Sequence, residues 1–338
     1  MPPGSTRYWS WLFAARETRD PLLGIYALMA EWRALMDPST EMSVAQTKLI
    51  WWREEMSRMA AGSPVHPITR YLADFPRAAA TDFVPLMRTV EAAAAQVAGA
   101  PLERGEELAA HADALYGQPL LIAAQLSNAI PPADAVQFGG TASLGGTGQF
   151  RVTGQSGGAD QSRDAAPLGD AAQFGGGTVP LAGAVPRPGA RGHRSALHGC
   201  VAALAAAEYL TRAIADYARE ARAGRIPFAV DELLAAEIEN SDLVAAEPPP
   251  RLRRYLNHLR QQATGYYSNV AAALAPEQRP PLRHLLVLAA LGAKHSSDGE
   301  RRSANPSGNP SGHPSGADFR LADLYNAWNA ARRAAAAR

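Results

Sequence analysis

The chain has 338 residues, a formal net charge of +1 and a single cysteine, Cys200. That length buries a large core, as one big domain or two smaller ones, while near-neutral charge supplies no field to recruit nucleic acid and a lone thiol excludes an intrachain disulfide, so Cys200 reads as buried and inert. The longest apolar run, 285–293, has nine residues against the roughly 20 that span a bilayer, and the start shows no secretory signal, which together suggest a cytoplasmic protein whose contact with the inner face of a membrane is at most peripheral.

Abundant alanine, an aromatic content of 7% and few alternating runs of Val, Ile and Thr point to an all-α protein. Within 7–72, Leu22, Leu23, Tyr26, Ala27 and Ala30 recur at helical intervals, and a second helix carries Leu49, Trp51 and Trp52. A Ser-Pro-Val-His-Pro turn stops that helix, because Pro64 and Pro67 lack an amide hydrogen and disfavour helical geometry in the residue before them. Helical patterns follow over 83–97, ended by Gly99, Ala100 and Pro101, and over 104–126.

The composition then changes. Residues 131–195 are rich in Gly, Ala, Ser, Gln and Pro, and DAVQFGGT at 134–141 recurs as DAAQFGGGT 36 residues later. So little apolar surface cannot offset the entropy of ordering, so this stretch reads as a disordered insert. Its glycines match no phosphate loop, since the P-loop lysine is missing. Helical periodicity resumes over 196–223, with Gly224 as its stop, and continues over 230–238, 251–274 and 282–291. A polar stretch at 295–317 containing NPSGNPSGHPSG reads as a flexible loop. The last segment, 318–338, forms a helix with Leu321, Leu324, Tyr325 and Trp328 on one stripe and arginines left for the other face. Segments 1–130 and 196–294 thus form two parts of one helical bundle, interrupted by two low-complexity inserts.

Several residues in fixed order resemble the squalene/phytoene synthase family: Tyr8, Leu12-Phe13, Arg19, Ile25-Tyr26-Ala27, Glu31, Asp37, Lys48-Leu49, Trp51-Trp52-Arg53, Gly62, His66-Pro67 and Leu72. The stretch EYLTRAIADYAREARAGRI, from Glu208 onward, resembles that family's second signature helix and its Gly-Arg flap. The resemblance implies an isoprenoid-synthase-like bundle with a central apolar cavity. It also implies two facing acidic motifs that hold Mg²⁺ and draw off a diphosphate. The allylic cation left behind then needs a dry, aromatic-lined cavity.

The acidic motifs are incomplete. The first falls on Arg33-Ala34-Leu35-Met36-Asp37, where only the last aspartate remains, and the second on Asp216-Tyr217-Ala218-Arg219-Glu220, where Arg219 stands between the survivors. The resemblance puts Ala30 and Ala215 where diphosphate-gripping arginines belong, and His111 at the middle-helix tyrosine. Asp37, Asp216 and Glu220 are the candidate metal ligands, and Tyr26, Arg33, Arg212, Arg219, Trp51 and Trp52 the candidate substrate contacts. Against them stand plain readings: an Arg212, Asp216, Glu220 ladder on a wet helix face, ordinary surface ion pairs for the arginines, and core packing for the tryptophans. A cation beside Mg²⁺ ligands opposes the metal, so no cofactor is expected, with Mg²⁺ implied if the chain is an enzyme.

The leading expectation is a catalytically degenerate family member that binds a protein partner or a lipid. Its pattern resembles a divergent branch that includes assembly factors for respiratory complex I. The alternatives are a Mg²⁺-dependent transferase that joins two allylic prenyl diphosphates head to head, and a metal-independent carrier of a prenyl or phosphorylated lipid.

Overall fold

The computed structural model describes residues 3–126, 192–304 and 321–336. Apart from one isolated bridge between Leu102 and Ala229, every regular element among them is helical. The insert expected over 131–195 lies outside the described residues except for its last few.

The first stretch folds as α1 (Thr6–Leu12), α2 (Arg16–Met36), α3 (Met42–Ala60) and α4 (Pro67–Ala73). His66 caps α4: its Nδ1 accepts from the Ile68 amide at 3.2 Å, and Pro67 fills the first turn, where its missing amide hydrogen costs nothing. Beneath this turn sits the fully buried carboxylate of Glu55 on α3. It accepts from the amides of Val65 (2.9 Å) and His66 (2.8 Å), from Arg58 Nε (2.9 Å) and from the Thr69 hydroxyl. The turn that stops α3 is therefore also a ring of donors closed around one anion.

The chain continues through α5 (Pro85–Val97), α6 (Gly105–Ala112), a π-helical turn at Asp113–Gly117, and α7 (Gln118–Leu126). The helix expected over 104–126 is thus continuous but widened locally by that turn. Beyond it lie α8 (Gly192–Arg222), α9 (Val230–Ala235), α10 (Asn240–Val244), α11 (Pro250–Ala273), α12 (Arg283–Ala304) and α13 (Leu321–Ala335). Gly99 and Gly224, with φ of 68° and 75°, follow α5 and α8 in the left-handed conformation that releases the chain from a helix. Helix α9 is shorter than its sequence pattern because Glu237 takes φ 54°.

Helix α11 packs against both α8 and α12, and α2 lies against α5 and α7. One apolar cluster runs through these helices from Ala14 to Ala334, so residues on both sides of 127–191 share a core. Cys200 lies inside it, and burial pushes its thiol up to about 12. Among the described residues no helix is long and apolar enough to cross a membrane.

Two expectations change. The polar stretch beginning at His295 is helical as far as Ala304, because Lys294 and His295 of α12 both reach the buried Asp323 of α13, His295 Nε2 at 3.1 Å; the NPSG repeats lie outside the described residues. The stripe expected on α13 is also split, with Leu324 packed on the core and the two aromatics turned outward. The buried face of α13 is Asp323, Ala327, Ala330, Ala331 and Ala334, whereas Tyr325 and Trp328 are 62% and 46% exposed. Small side chains let α13 approach α12 and α1 closely around Trp9, Val287 and Leu291.

Close approach also governs Gly24, where an added Cβ would lie 2.6 Å from Leu72 Cδ2 and 2.9 Å from its Cγ. Leu72 is fully buried and has no room to swing away. Gly24→Ala should therefore lower stability by about 1–3 kcal/mol, read as an earlier midpoint in urea unfolding. Glu55 gives a pH-dependent counterpart: burial opposes its charge, but the Thr69, His66, Arg58 and Val65 donors outweigh burial and hold its carboxyl below the ordinary value of 4.5. Its contribution is fully present above that value and is lost as pH falls through the lower folded one. Glu55→Gln should cost about 2 kcal/mol at pH 7, and the gap from the unaltered protein should narrow below pH 4.5 in denaturation curves taken as a pH series.

Candidate functional site

The residues singled out on α2 and α8 meet where the carboxyl end of α2 faces the last turns of α8. Asp37 is the C-cap of α2. Its Oδ1 accepts from the Ser39 amide at 2.9 Å and the Ser39 hydroxyl at 2.7 Å, and its Oδ2 from Arg219 Nη1 at 2.9 Å. The other end of the same guanidinium, Nη2, pairs with Asp216 Oδ1 at 3.2 Å, and Asp216 Oδ2 in turn pairs with Arg212 Nε at 3.6 Å. Thus one arginine joins the surviving carboxylates of the two motifs. The Ser39 amide and hydroxyl, then Arg219, hold the Asp37 carboxyl down at about 2.

Glu220 is not part of that group. It is buried and pairs with Arg225 Nε at 2.7 Å, while Arg225 Nη2 donates to the Met36 carbonyl at 3.2 Å. The carboxylate and guanidinium touch without hydrogen-bond alignment, which leaves both Glu220 oxygens without a hydrogen bond among the described residues. Burial raises the Glu220 pKa against the pull of Arg225. A cavity of about 40 Å³ adjoins the pair, lined also by His111 and Tyr209, with room for roughly three waters. Burial lowers His111 to about 4, so the ring is neutral at pH 7. Of the wet ladder expected of Arg212, Asp216 and Glu220, the first pair forms but on a half-buried face, and Glu220 turns inward to Arg225.

Arg33 lies one turn before Asp37 and lines a second cavity, about 10 Å³, with Arg7, Trp32, Met36, Leu115 and Tyr116. Partial desolvation and the neighbouring Arg212 and Arg7 lower its pKa. Tyr26 is almost fully buried: its hydroxyl shares a 2.8 Å hydrogen bond with Ser10, Ser10 donates to the His284 carbonyl at 3.1 Å, and Arg7 lies over its ring at 5.7 Å. That chain of contacts ties α1, α2 and α12 together. Trp51 and Trp52 are placed elsewhere. Trp52 packs on Trp32 and His66 with ring centroids 5.9 and 4.7 Å away, and Trp51 packs on His66 under Arg58; neither lines the two cavities described.

Two further arginines belong to this geometry. Arg225, the arginine of the Gly-Arg segment, meets Glu220 and Met36 only across the fold, which no local pattern signals. Arg7 carries no local signal, because it reaches Arg33 only through the packing of α1 on α2.

This architecture is that of an isoprenoid-synthase-like helical bundle. A solved dehydrosqualene synthase in complex with ligand matches with a TM-score of 0.58 and 12% identity, over 98% of this chain and 90% of that one. The squalene synthase HpnC from Alicyclobacillus acidocaldarius matches with a TM-score of 0.55 and 15% identity, over 88% of each chain. The family model for squalene/phytoene synthase matches residues 2–305, and the chain belongs to that family. No curated protein sequence matches it.

Such a family implies Mg²⁺ between the two acidic motifs. The donors as arranged do not fit it: Asp37 and Asp216 are spent on one guanidinium, Glu220 on another, and among the described residues no three Asp, Glu, His or Cys side chains are grouped to hold a metal ion. Because Arg219 is 46% exposed, its bridge is screened, and Arg219→Gln should cost less than about 1 kcal/mol at pH 7. In that variant an NMR titration should still find the Asp37 carboxyl below its ordinary 3.8, since the two Ser39 donors remain.

Proposed function

We propose that this chain is a catalytically degenerate member of the squalene/phytoene synthase family that acts by binding a lipid or a protein partner. One observation carries the reading: Arg219 joins Asp37 of α2 to Asp216 of α8 at 2.9 and 3.2 Å. A cation held there by two carboxylates satisfies the charge that Mg²⁺ would otherwise satisfy, and it supplies no Lewis acid to draw off a diphosphate. Arg33 and Arg212 add positive charge beside it. The resemblance to the branch with complex I assembly factors supports the partner-binding form of this role, and the arginines support the lipid-binding form.

Family membership itself favours the second reading, a Mg²⁺-dependent head-to-head prenyl transferase using Asp37, Asp216 and Glu220. The two separate in a single assay. Purified protein incubated with farnesyl or geranylgeranyl diphosphate and Mg²⁺ should give no condensed C30 or C40 product, and Mg²⁺ alone should leave its melting temperature unchanged. Product that forms with Mg²⁺ and disappears in Asp216→Asn would establish the transferase instead.

A further inference from the structure

Helix α13 lies beyond residues 2–305 that match the family model, and it contributes nothing to the site between α2 and α8. Its inner face is engaged. Ala327, Ala330, Ala331 and Ala334 are buried, and Asp323, the one acidic residue of the helix, is held between Lys294 and His295. On the outer face Tyr325, Trp328 and Arg332 follow one another at i, i+3 and i+7, a spacing that stacks side chains along one side of a helix. The two aromatic ring centroids are 6.4 Å apart, and Arg332 Cζ lies 5.0 Å from the Trp328 ring centroid. Arg333 is exposed beside them.

With Asp323 buried, the exposed charges of α13 are Arg332 and Arg333, and neither makes an ion pair among the described residues. The outer face is therefore aromatic and cationic, with no carboxylate on it. A second copy of the chain is a poor occupant, because a two-fold contact through this face would set the arginines of both copies together with no acid between them. An anionic bilayer suits the same groups. Tyrosine and tryptophan rings, apolar in body and polar at the tip, seat at the headgroup level, while guanidinium groups pair with lipid phosphates and their stems lie along the rings.

We infer that the outer face of α13, formed by Tyr325, Trp328, Arg332 and Arg333, rests on an anionic lipid surface and holds the chain there peripherally. The contact runs along one side of one helix and enters no further than the headgroups. It goes beyond the reading of the α2–α8 site and stands whether or not that site turns over a prenyl diphosphate.

The test is sedimentation of the full chain with vesicles of phosphatidylcholine, alone or with roughly one third phosphatidylglycerol. The chain should pellet with the anionic vesicles and stay in solution with the neutral ones, and added salt should release it. Arg332→Gln and Arg333→Gln should each weaken binding about fivefold. Brominated acyl chains should quench part of the tryptophan emission, and that part should be missing in Trp328→Phe but kept in Trp51→Phe, whose ring is exposed on α3. The altered side chains are exposed, so an unchanged melting temperature certifies that each variant is folded. Equal binding to both kinds of vesicle, or undiminished binding when both arginines are replaced, overturns the inference. So does a doubled mass in analytical ultracentrifugation that Trp328→Ala abolishes, which would give the face to a second copy. Failure to bind either vesicle overturns it in favour of a protein partner.

Discussion

A single guanidinium, that of Arg219, ties the end of α2 to the last turns of α8 through a carboxylate on each. One turn further in, Arg225 does the same by other means: it neutralises the buried Glu220 and donates to the Met36 carbonyl at the end of α2. A helix C-terminus presents unsatisfied carbonyls and partial negative charge, so a cation is a favourable partner for it. Two arginines of α8 and its following turn thus cross-link the mouth of the bundle. Arg212 shares Asp216 with Arg219, and Glu220 pairs with Arg225.

The solved structures it resembles, at 12% and 15% identity, mark how much of this architecture survives without sequence similarity. What they share is the fold, and cores tolerate exchange of side chains so long as volume and patterning are kept. Charged residues at the mouth are free of that constraint. Substitutions there alter the local field while leaving the core intact, so a shared fold does not by itself fix the chemistry.

Much of the fold was legible because its signals are local. The helical repeat around Leu22 and Tyr26, the prolines before and at the start of α4, and the glycines at 99 and 224 each act within a few residues of themselves. The site was legible only in its parts. Asp37 and Arg219 are 182 residues apart, and Met36 and Arg225 are 189 apart, so their meeting is a product of packing that no periodicity announces. Glu220 repeats Asp216 at helical spacing, yet a neighbouring arginine beyond the helix turns it inward. On α13 the aromatics are the more hydrophobic side chains by type, but a buried aspartate with partners on α12 and a row of alanines fix the opposite face against the bundle.

That alanine face has a cost. Methyl groups bury little area, so the apolar contribution to holding α13 in place is small for a helix of its length. Its attachment leans instead on Asp323 between Lys294 and His295. Asp323 is buried, so salt screens this cluster little, and removing its cationic partner Lys294 would leave an uncompensated charge against the bundle. The place of α13 over Trp9 and α12 therefore depends on one carboxylate more than on its methyl groups.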